Sequence, residues 1–400
     1  MATVIETITA LLAVAGIAYM MLALWGARGY ARAMETARTW PDFAPGVTLL
    51  KPLKGADSSM FAGLESHCRQ VYAGPVELVF GVHQMDDPAV GEVERLRVEF
   101  PEASIKLVEC GLKLGTSGKV SNLVQMLPHA TYEHVVINDS DIYVAPGYLT
   151  GVMRLFADPA VGMVTAPYIG RTGAGGREKT VWAKLEALGI STDFMPGVLT
   201  ARRLEKGIRF GLGSTLAMTR TALAKAGGLE PLVEYLADDY ELGKRIAGAG
   251  YRVELCGECV KTTVPGYGIK GFWDHQMRWA RSTRDSRKAG YVGLGVTYCV
   301  AWALLTVVAS GGALWSFSLL TFAVLARVSV ALTVGVGLLR DDQVLRDLWL
   351  LPMRDLFGLL VWAWSFAGDT VVWRDTTFRL RDGRITPVEV GGVAVLAPQD

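Results

Sequence analysis

Long apolar stretches towards both ends of this 400-residue chain constrain its fold more than any other feature. Ile8–Trp25 is almost wholly apolar and, with the residues before it, approaches the roughly 20 that a helix needs to cross a bilayer. Tyr291–Ser310 and Gly312–Leu339 are each long enough to span. Leu348–Trp373 contains charges and a proline, so it either spans or lies re-entrant or interfacial. With a hydrophobic content of 51%, these stretches predict a membrane protein.

Charges around the first apolar stretch indicate its orientation. Glu6 precedes it, whereas Arg28, Arg32 and Arg38 follow it. A signal peptide would carry positive charge before its apolar core and a small-residue cleavage site after it. Because cytoplasmic flanks are enriched in arginine and lysine, we predict an uncleaved anchor with the following domain on the cytoplasmic side.

The central part of the chain has the texture of an α/β domain. Short β-branched runs alternate with amphipathic stretches, which favours a largely parallel sheet. The predicted strands are Val47–Leu50, Val76–Val82, Ile105–Val108, His134–Asn138 and Val161–Ala166, and the predicted helices between them are Phe61–Gln70, Val90–Phe100 and Gly118–Leu127. We therefore predict an anchor at 1–30, a catalytic domain at 46–288, a membrane region at 291–375 and a tail at 376–400.

Charge and cysteine content exclude several classes of protein. The net charge of +1 gives no global attraction for nucleic acid. Five cysteines, an odd number scattered along the chain, do not resemble a disulfide scaffold. Cys256 and Cys259 form a lone CxxC pair, and a zinc site would need a second pair of ligands. Residues 115–119 (GTSGK) lack the spacing of a Walker loop.

Paired carboxylates follow two of the predicted strands. Asp139 and Asp141 come directly after an apolar run, and Asp86-Asp87 follow an earlier one. Ligands of parallel sheets bind at the carboxyl ends of strands. Two carboxylates one residue apart can hold Mg²⁺ or Mn²⁺ between the protein and a nucleotide diphosphate, although aspartates are also common in turns.

A second acidic pair opens a predicted helix. Asp238 and Asp239 precede or begin Asp239–Ala249, where carboxylates stabilise the free N–H groups of the first turn. Alternatively, one of them is a general base that takes the proton of an acceptor hydroxyl. The two roles are compatible for neighbouring residues.

A cationic, aromatic helix is predicted between Trp273 and Lys288. Its arginines recur every three residues, which places them on one face. Arg278 suits contact with a leaving diphosphate, and the ring of Trp279 suits packing against the sugar or the acceptor. Alternatively, the row of arginines is a juxtamembrane patch that attracts anionic lipids. Earlier in the chain, Lys119 and Asn122 lie at a helix start, where phosphates can bind.

Two further segments allow an ordinary and a functional interpretation. Val181–Leu199 is amphipathic, with a predicted break at Pro196-Gly197. Its apolar residues Trp182, Phe194 and Met195 either pack in a core or line a lipid entrance. Arg327 lies inside a predicted span, where we favour a structural ion pair over a functional site.

The chain resembles the ceramide glucosyltransferase family of GT-A glycosyltransferases, and within it the bacterial hopanoid-associated enzymes. The resemblance covers nearly the whole chain and is carried by residues 51–55 (KPLKG), 86–89 (DDPA), 119–123 (KVSNL), 139–141 (DSD), 237–240 (ADDY), 278–279 (RW) and 372–381 (VWRDTTFRLR). It implies a GT-A fold and inverting transfer from a UDP-sugar to a lipid hydroxyl.

The same resemblance implies roles for individual residues. Asp239 matches the expected base, Asp139 and Asp141 the metal-binding pair, and Lys51, Asp87, Lys119, Asn122, Asp139, Arg278 and Trp279 the donor-binding residues. Two positions depart from the family pattern. His275 stands where Gln or Arg is usual, and we assign it to the acceptor side. Ser191-Thr192-Asp193 replaces a segment that carries a histidine in the ceramide-using animal enzymes, which weakens ceramide as the acceptor.

We therefore expect transfer of a sugar, N-acetylglucosamine by resemblance, from a UDP donor to a bacteriohopanepolyol at the bacterial inner membrane. The alternatives are glucosylceramide synthesis, processive polysaccharide synthesis and a non-catalytic lipid-binding membrane protein. A processive synthase calls for a longer bundle of spans, and the intact acidic motifs oppose a non-catalytic role.

Overall fold

The computed structural model describes residues 2–57, 59–173, 179–373 and 376–388. Its strands are β1 (Val47–Pro52), β2 (Val76–Val82), β3 (Ser104–Glu109), β4 (His134–Ile137), β5 (Val161–Thr165), β6 (Tyr168–Thr172), β7 (Leu216–Thr219), β8 (Arg252–Leu255), β9 (Val260–Val264), β10 (Thr370–Trp373), β11 (Thr376–Arg381) and β12 (Arg384–Pro387). Its α-helices are α1 (Ala2–Arg38), α2 (Met60–Cys68), α3 (Ala89–Glu99), α4 (Gly118–Met126), α5 (Tyr148–Arg154), α6 (Val181–Gly189), α7 (Met195–Leu204), α8 (Arg220–Lys225), α9 (Asp238–Gly248), α10 (Ile269–Ser286), α11 (Lys288–Leu294), α12 (Cys299–Ala309), α13 (Leu314–Val330), α14 (Asp342–Asp347) and α15 (Leu351–Ser365). Two π-helical turns, Ile190–Phe194 and Ala331–Leu338, continue α6 and α13.

The described residues form two compact units. The membrane unit comprises the residues up to Ala31, Lys179–Arg203 and those from Gly266 onwards. The sheet unit comprises the described residues from Arg32 up to Lys179, where the second segment of the membrane unit begins, together with Leu204–Pro265. The segment 179–203 and the start of α10, which fall inside the predicted catalytic domain 46–288, thus group with the membrane unit, and the boundaries of that domain stay a prediction.

A seven-stranded sheet organises the sheet unit. Its strand order is β3-β2-β1-β4-β7-β5-β8, and all neighbours are parallel except β7, which is antiparallel to β4 and β5. The five predicted strands and three predicted helices are all present, with ends that shift by two residues at most. The predicted α/β organisation is confirmed. Because β1, β2 and β4 are parallel, their carboxyl ends meet at one edge, which is where Asp139–Asp141 and Asp86-Asp87 follow their strands.

The central strands are apolar because both of their faces are covered. Leu49, Phe80 and Val136 lie in one core cluster and are fully buried. Continuous apolar runs are typical of parallel strands with helices on each face. Beside this sheet, β6 and β9 pair in parallel as a second, two-stranded sheet, which contributes side chains to the site described below.

Two of the described helices have the length and composition of spans. They are Thr3–Arg38, within α1, and Leu314–Leu338, which is α13 with its π-helical turn. Glycines allow α1 to pack closely: a Cβ on Gly16 would lie 2.6 Å from the carbonyl oxygen of Val296, and one on Gly26 would lie 2.7 Å from that of Leu199. Small residues permit such close backbone approach between membrane helices.

The stretch Tyr291–Ser310, which is long enough to span, is not one straight helix, and that it crosses the membrane stays a prediction. α11 and α12 are bent by 56° at a short break, and together they pass as one broken span or a re-entrant loop. The Trp302 indole donates to the carbonyl oxygen of Gly295 (2.7 Å), and a Cβ on that glycine would lie 2.5 Å from the ring of Trp362. A side chain thus satisfies a carbonyl that a continuous helix would bond internally, which favours the bend.

The last apolar segment also differs from a simple span. Within Leu348–Trp373, α15 has 15 residues, about 22 Å of helix, which is shorter than the roughly 30 Å hydrocarbon layer. The chain then enters β10 at Thr370. Arg281 and Arg284 of α10 donate to the backbone carbonyls of Thr370, Ser365 and Gly368. These two arginines hold the end of the segment by hydrogen bonds within the protein. They are therefore not solely a row of charges for lipid headgroups.

Arg327 is the centre of a buried ion network, as the structural interpretation predicts. Its Nε donates to Asp355 (2.8 Å), and its guanidinium also pairs with Asp193. Arg354 donates to the other oxygen of Asp193 at 2.6 Å. Two cations thus face two carboxylates, so each buried charge has a hydrogen-bonded partner of opposite sign.

The same arginine explains why the predicted break at Pro196-Gly197 is wrong. The chain stays helical through the π-helical turn into α7, with Pro196 fully inside the helix. A proline has no N–H to donate to the carbonyl four residues earlier, here that of Thr192. Arg327 donates to that carbonyl instead, with its Nη1 at 2.8 Å. A tertiary contact therefore compensates for the bond that the proline removes.

Replacing Arg327 with Met should destabilise the protein by about 3–5 kcal/mol, because it leaves buried carboxylates without their cation. Thermal unfolding in detergent, compared with Arg346→Met at an exposed position of α14, measures the effect. Adding Asp355→Asn to Arg327→Met should recover part of the loss. Equal unfolding temperatures for Arg327→Met and wild type would contradict the assigned network.

Candidate active site

The turn after β4 carries the first acidic pair and is held from below by buried polar groups. Asn138, fully buried, donates from its Nδ2 to the carbonyl oxygen of Ser214 (2.7 Å) and to the hydroxyl groups of Thr215 and Tyr148 (both 3.1 Å). These bonds fix the point at which the chain leaves the sheet. Asp139 follows directly, with its side chain 41% exposed. The turn therefore presents a carboxylate to solvent from a rigid base.

Two lysines lie against this turn. Lys51, at the end of β1, is fully buried and donates from Nζ to the backbone carbonyl of Asp139 at 3.0 Å. Burial lowers the pKa of Lys51 to about 7, against the opposing effect of Asp141 and Asp139. Lys51 thus supports the backbone of the acidic turn. This is a contact within the protein, and the donor contact that the sequence predicts for Lys51 stays a prediction.

Lys119 joins the two acidic motifs. Its Nζ lies 2.8 Å from Asp139 Oδ1 and 3.6 Å from Asp238 Oδ2. Burial alone would lower the pKa of Lys119, but the carboxylates of Asp139 and Asp238 raise it above its ordinary value. Lys119 lies in the first turn of α4, two residues after Ser117, which caps this helix by accepting a hydrogen bond from the N–H of Val120. The ammonium group therefore sits close to a helix N-terminus and compensates the charge of two carboxylates that belong to different acidic motifs.

Asp141 is oriented by the second sheet. Its Oδ2 accepts from the Thr262 hydroxyl at 2.6 Å and from the N–H of Thr263 at 3.1 Å, both on β9. Burial, together with the neighbouring charge of Asp139, raises the pKa of Asp141 above its ordinary value. The two threonines carry no sequence signal that links them to the acidic turn, so sequence analysis missed them.

A divalent cation fits this pair if a ligand supplies further oxygens. In the described part of the chain, no group of three or more His, Cys, Asp and Glu side chains is arranged to hold a metal ion. Mg²⁺, however, is commonly held by one or two carboxylates together with substrate phosphates. Asp139 and Asp141 repel each other and Asp141 is buried, so a bound cation would lower the electrostatic energy of the pair.

The second acidic pair begins α9, one residue earlier than predicted. Asp238 faces Lys119, and burial raises its pKa above the ordinary value, against the effect of that lysine. Asp239 accepts from the N–H of Tyr240 (2.8 Å). Burial, and next the charge of Asp238, raise the pKa of Asp239 to about 6. A carboxylate with a pKa just below neutrality is well matched to accept a proton at neutral pH.

Backbone approaches Asp239 closely on one side. A Cβ on Gly213 would lie 3.1 Å from Oδ2 of Asp239, and the N–H of Gly211 donates to the Asp239 carbonyl oxygen at 3.2 Å. The backbone of the two glycines before β7 thus packs against Asp239, the candidate base, with no side chain between them. A larger residue at Gly213 would crowd the carboxylate.

Asp87 ties two loops of the sheet edge together. Its carboxylate accepts from the N–H of Gly55 at 2.8 and 3.1 Å and from the N–H of Ala89 at 2.8 Å. Gly55 has φ +63°, a conformation that suits glycine. Asn122, another predicted donor-binding residue, is buried on α4. These contacts of Asp87 are those of a loop-ordering residue, and its predicted donor contact is a proposal.

The remaining predicted residues belong to the membrane unit. His275, Arg278 and Trp279 lie on α10 and are half-buried. The rings of His275 and Trp279 have centroids 4.7 Å apart. The Nδ1 of His275 lies 2.8 Å from Oε2 of Glu186, a carboxylate that is only 3% exposed.

Sequence analysis missed Glu186, although a signal was present. It is the one charge in the apolar run 185–190 of a helix, and a carboxylate on a buried helix face needs hydrogen-bonding partners.

The three predicted acceptor residues differ in burial. Met195 is fully buried, whereas Phe194 is 37% exposed. Trp182 packs in an aromatic cluster, with ring centroids 5.5 Å from Phe272 and 5.4 Å from Phe357. Of the three, Phe194 has the exposure that an acceptor contact requires, and the surroundings of Met195 and Trp182 are those of a core.

Comparisons with known proteins agree on one family. Residues 8–386 match the family described as Glycosyl transferase family 21. Ceramide glucosyltransferase 3 of Caenorhabditis elegans is 26% identical over 240 residues, which are 59% of this chain and 50% of the relative. Ceramide glucosyltransferase 1 of the same organism is 28% identical over 240 residues, 59% of this chain and 49% of the relative. The chain thus spans about half the length of the curated relatives it matches.

Among solved structures, a mannosyltransferase from Pyrobaculum calidifontis in complex with GDP-Man and Mn2+ is similar at 18% identity and a TM-score of 0.48, over 89% of this chain and 98% of that one. Similarity of that degree carries no argument about this chain.

Proposed function

The chain belongs to glycosyl transferase family 21, and from that membership we propose that it is a membrane-bound inverting glycosyltransferase that moves a sugar from a nucleotide diphosphate to a lipid hydroxyl. The observation that carries the proposal is the cluster of Asp139, Asp238 and Asp239 around Lys119, with Asp141 close to Asp139. A non-catalytic lipid-binding protein would have no use for such a costly group of half-buried charges.

Asp239 is the proposed general base. It takes the proton of the acceptor hydroxyl as the hydroxyl oxygen attacks the anomeric carbon of the sugar. The bond between that carbon and the diphosphate oxygen breaks, and its electron pair leaves with the nucleotide diphosphate. The raised pKa of Asp239, about 6, leaves this carboxyl ionised and sufficiently basic near neutral pH.

The other residues of the proposed site hold the donor. Asp139 and Asp141 would hold a divalent cation, Mg²⁺ or Mn²⁺, which neutralises the charge that develops on the diphosphate. Lys119 adds a fixed positive charge, and Lys51 supports the acidic turn from below. By resemblance, Asp87, Asn122, Arg278 and Trp279 complete the donor contacts.

UDP-N-acetylglucosamine and a bacteriohopanepolyol are the proposed substrates, on the resemblance to hopanoid-associated enzymes. Glucosylceramide synthesis from UDP-glucose is the second candidate, which the ceramide glucosyltransferase relatives favour. We rank it second because Ser191, Thr192 and Asp193 stand where the animal enzymes carry a histidine.

The proposed location is the bacterial inner membrane, with several spans and the sheet unit on the cytoplasmic side. Two candidate spans support a membrane protein. The orientation rests on Arg28, Arg32 and Arg38, which follow the apolar part of α1, because cytoplasmic flanks are enriched in arginine.

An assay of UDP release from the detergent-solubilised full chain tests the function. Each of UDP-N-acetylglucosamine and UDP-glucose is offered with a bacteriohopanepolyol, with ceramide and without lipid, in the presence of Mg²⁺ or Mn²⁺. Lipid-dependent release with UDP-N-acetylglucosamine and the polyol supports the first candidate, and with UDP-glucose and ceramide the second. No lipid-dependent release from any pair would overturn the proposal.

Phe194 offers a test of the proposed lipid entrance. Replacing it with Ser should raise the KM for lipid and spare both thermal stability and UDP-sugar hydrolysis without lipid, because its ring is part-exposed and apolar. Met195→Ser is the matched control: truncation of this buried side chain should destabilise the fold by about 2–5 kcal/mol. Parallel loss of stability and both activities in Phe194→Ser would identify this residue as core.

A further inference from the structure

Glu186 accepts three hydrogen bonds inside the membrane unit. His275 Nδ1 lies 2.8 Å from Oε2, Gln276 donates from Nε2 to the same oxygen at 3.4 Å, and the Tyr267 hydroxyl donates to Oε1 at 3.4 Å. The Glu186 side chain is 3% exposed and that of His275 16%. A buried carboxylate is tolerated when its oxygens are satisfied in this way.

The carboxylate decides which nitrogen of His275 carries a proton. An ionised carboxylate only accepts hydrogen bonds, so Nδ1 of the imidazole is the donor to Glu186. The Tyr267 hydroxyl oxygen, 3.1 Å from the same Nδ1, is then a second acceptor for that proton, while the hydroxyl's own proton goes to Oε1 of Glu186. In the neutral ring, Nε2 is then the acceptor, and it is the nitrogen left over for another group. The Tyr267 ring, with its centroid 5.6 Å from the imidazole, and the Trp279 ring, at 4.7 Å, limit rotation of His275.

A chain of polar contacts holds this carboxylate in place. Gln276 accepts at Oε1 from Arg354 Nη1 (2.9 Å), which directs its amide nitrogen to Glu186. Arg354 in turn pairs with Asp193, and Asp193 with Arg327. The orientation of the Glu186–His275 pair is thus coupled to the same buried ion network that stabilises the membrane unit.

We propose that Glu186 is a positioning residue that holds His275 in its Nδ1–H tautomer, so that Nε2 accepts a hydrogen bond from a substrate hydroxyl. The proposal rests on the function proposed above and adds to it the residue that orients His275. Both the sugar and a polyol lipid carry hydroxyl groups. Separate measurements of KM for the UDP-sugar and for the lipid distinguish which of the two donates to Nε2. A phosphate oxygen has no proton to donate to Nε2, so this geometry points away from it.

The first test needs no substrate. The chain has five histidines, so ¹⁵N-histidine labelling of the detergent-solubilised full chain, with His275→Gln to assign the His275 signals, reads the tautomer directly. The Nδ1–H form is expected in wild type. An Nε2–H form in wild type would overturn the proposal, and this outcome does not depend on whether any Glu186 variant folds.

The second test uses Glu186→Gln, whose amide can donate to Nδ1 and so favours the opposite tautomer. Loss of a hydrogen bond between two neutral groups, here Nε2 and a hydroxyl, corresponds to roughly 2–10-fold, which we expect as a rise in KM. A rise for the UDP-sugar assigns the hydroxyl to the donor sugar, and a rise for the lipid assigns it to the acceptor. In a His275→Gln background, Glu186→Gln should have no further effect on kcat/KM.

The control is Glu99→Gln, the same change in an exposed ion pair of α3, which should alter neither KM nor the His275 spectrum. If Glu186→Gln lowers kcat/KM by the same factor with and without His275, the residue is merely structural and the proposal falls. Failure of every donor and lipid pair to release UDP would overturn the proposed function, whereas the tautomer result stands by itself.

Discussion

Replacing Asp239 with Asn should lower kcat by roughly 10²–10⁴-fold, the usual effect of losing a general base. The amide fills the same space but cannot take the proton of the acceptor hydroxyl. Donor binding should stay nearly unchanged, since the contacts between Lys119 and the carboxylates of Asp139 and Asp238 are still present. Steady-state UDP release measures kcat, and titration with UDP measures donor binding.

The pH profile provides a second measurement on the same variant. Burial raises the pKa of Asp239 to about 6 in the wild type, and the protonated carboxyl cannot accept a proton. The wild-type kcat/KM should therefore fall as the pH drops below about 6, by about tenfold per pH unit, and residual activity of Asp239→Asn should lack this acid limb.

Asp382→Asn is the matched control for Asp239→Asn. Asp382 is 75% exposed and adopts φ +50°, a conformation that Asn tolerates well. Its turnover and unfolding temperature should equal those of wild type. Turnover of Asp239→Asn within threefold of wild type would refute the assignment of the base.

Replacing Asp141 with Ala should weaken UDP binding and remove most of its dependence on divalent metal. The carboxylate is one of two candidate cation ligands, and loss of even an outer-shell partner typically reduces metal affinity by roughly 10–100-fold. We therefore expect at least that loss for a direct ligand. Titrations of UDP with and without Mg²⁺ or Mn²⁺ measure both effects.

Two variants calibrate the Asp141 result. Thr262→Val removes one of the two bonds that orient this carboxylate and should give a smaller effect of the same kind. Asp42→Ala, at a side chain 65% exposed, should give none. Unchanged UDP affinity and metal dependence in Asp141→Ala would place the cation elsewhere.

Local patterns predicted five strands of the sheet unit and the helices between them correctly, but not β6, β7, β8 or β9. The runs at 47–50 and 76–82 became β1 and β2 because continuous apolar, β-branched sequence suits a strand buried on both faces. The alternation with helices predicted parallel pairing, and parallel pairing brought the ends of β2 and β4 to the same edge of the sheet. The positions of Asp87 and Asp139 just past their strands follow from the same reasoning.

Contacts between distant segments were not predictable in this way. The break at Pro196 was expected because proline removes a helical hydrogen bond, and it is absent because Arg327, 131 positions later in the numbering, supplies a donor to Thr192. The bend between α11 and α12 depends on Trp302 and Trp362 around Gly295. In both places a side chain from elsewhere satisfies or displaces a backbone bond, which a local pattern does not encode.

The sequence by itself determined where the apolar segments and the predicted strands lie and which residue types follow those strands, because hydrophobic periodicity acts over a few neighbouring residues. Only the tertiary structure decided which charges meet. Lys119 joins carboxylates 20 and 119 positions away in the numbering, Thr262 orients Asp141, and Glu186 faces His275. Electrostatic energy depends on separation and burial in space, and neither can be read from spacing along the chain.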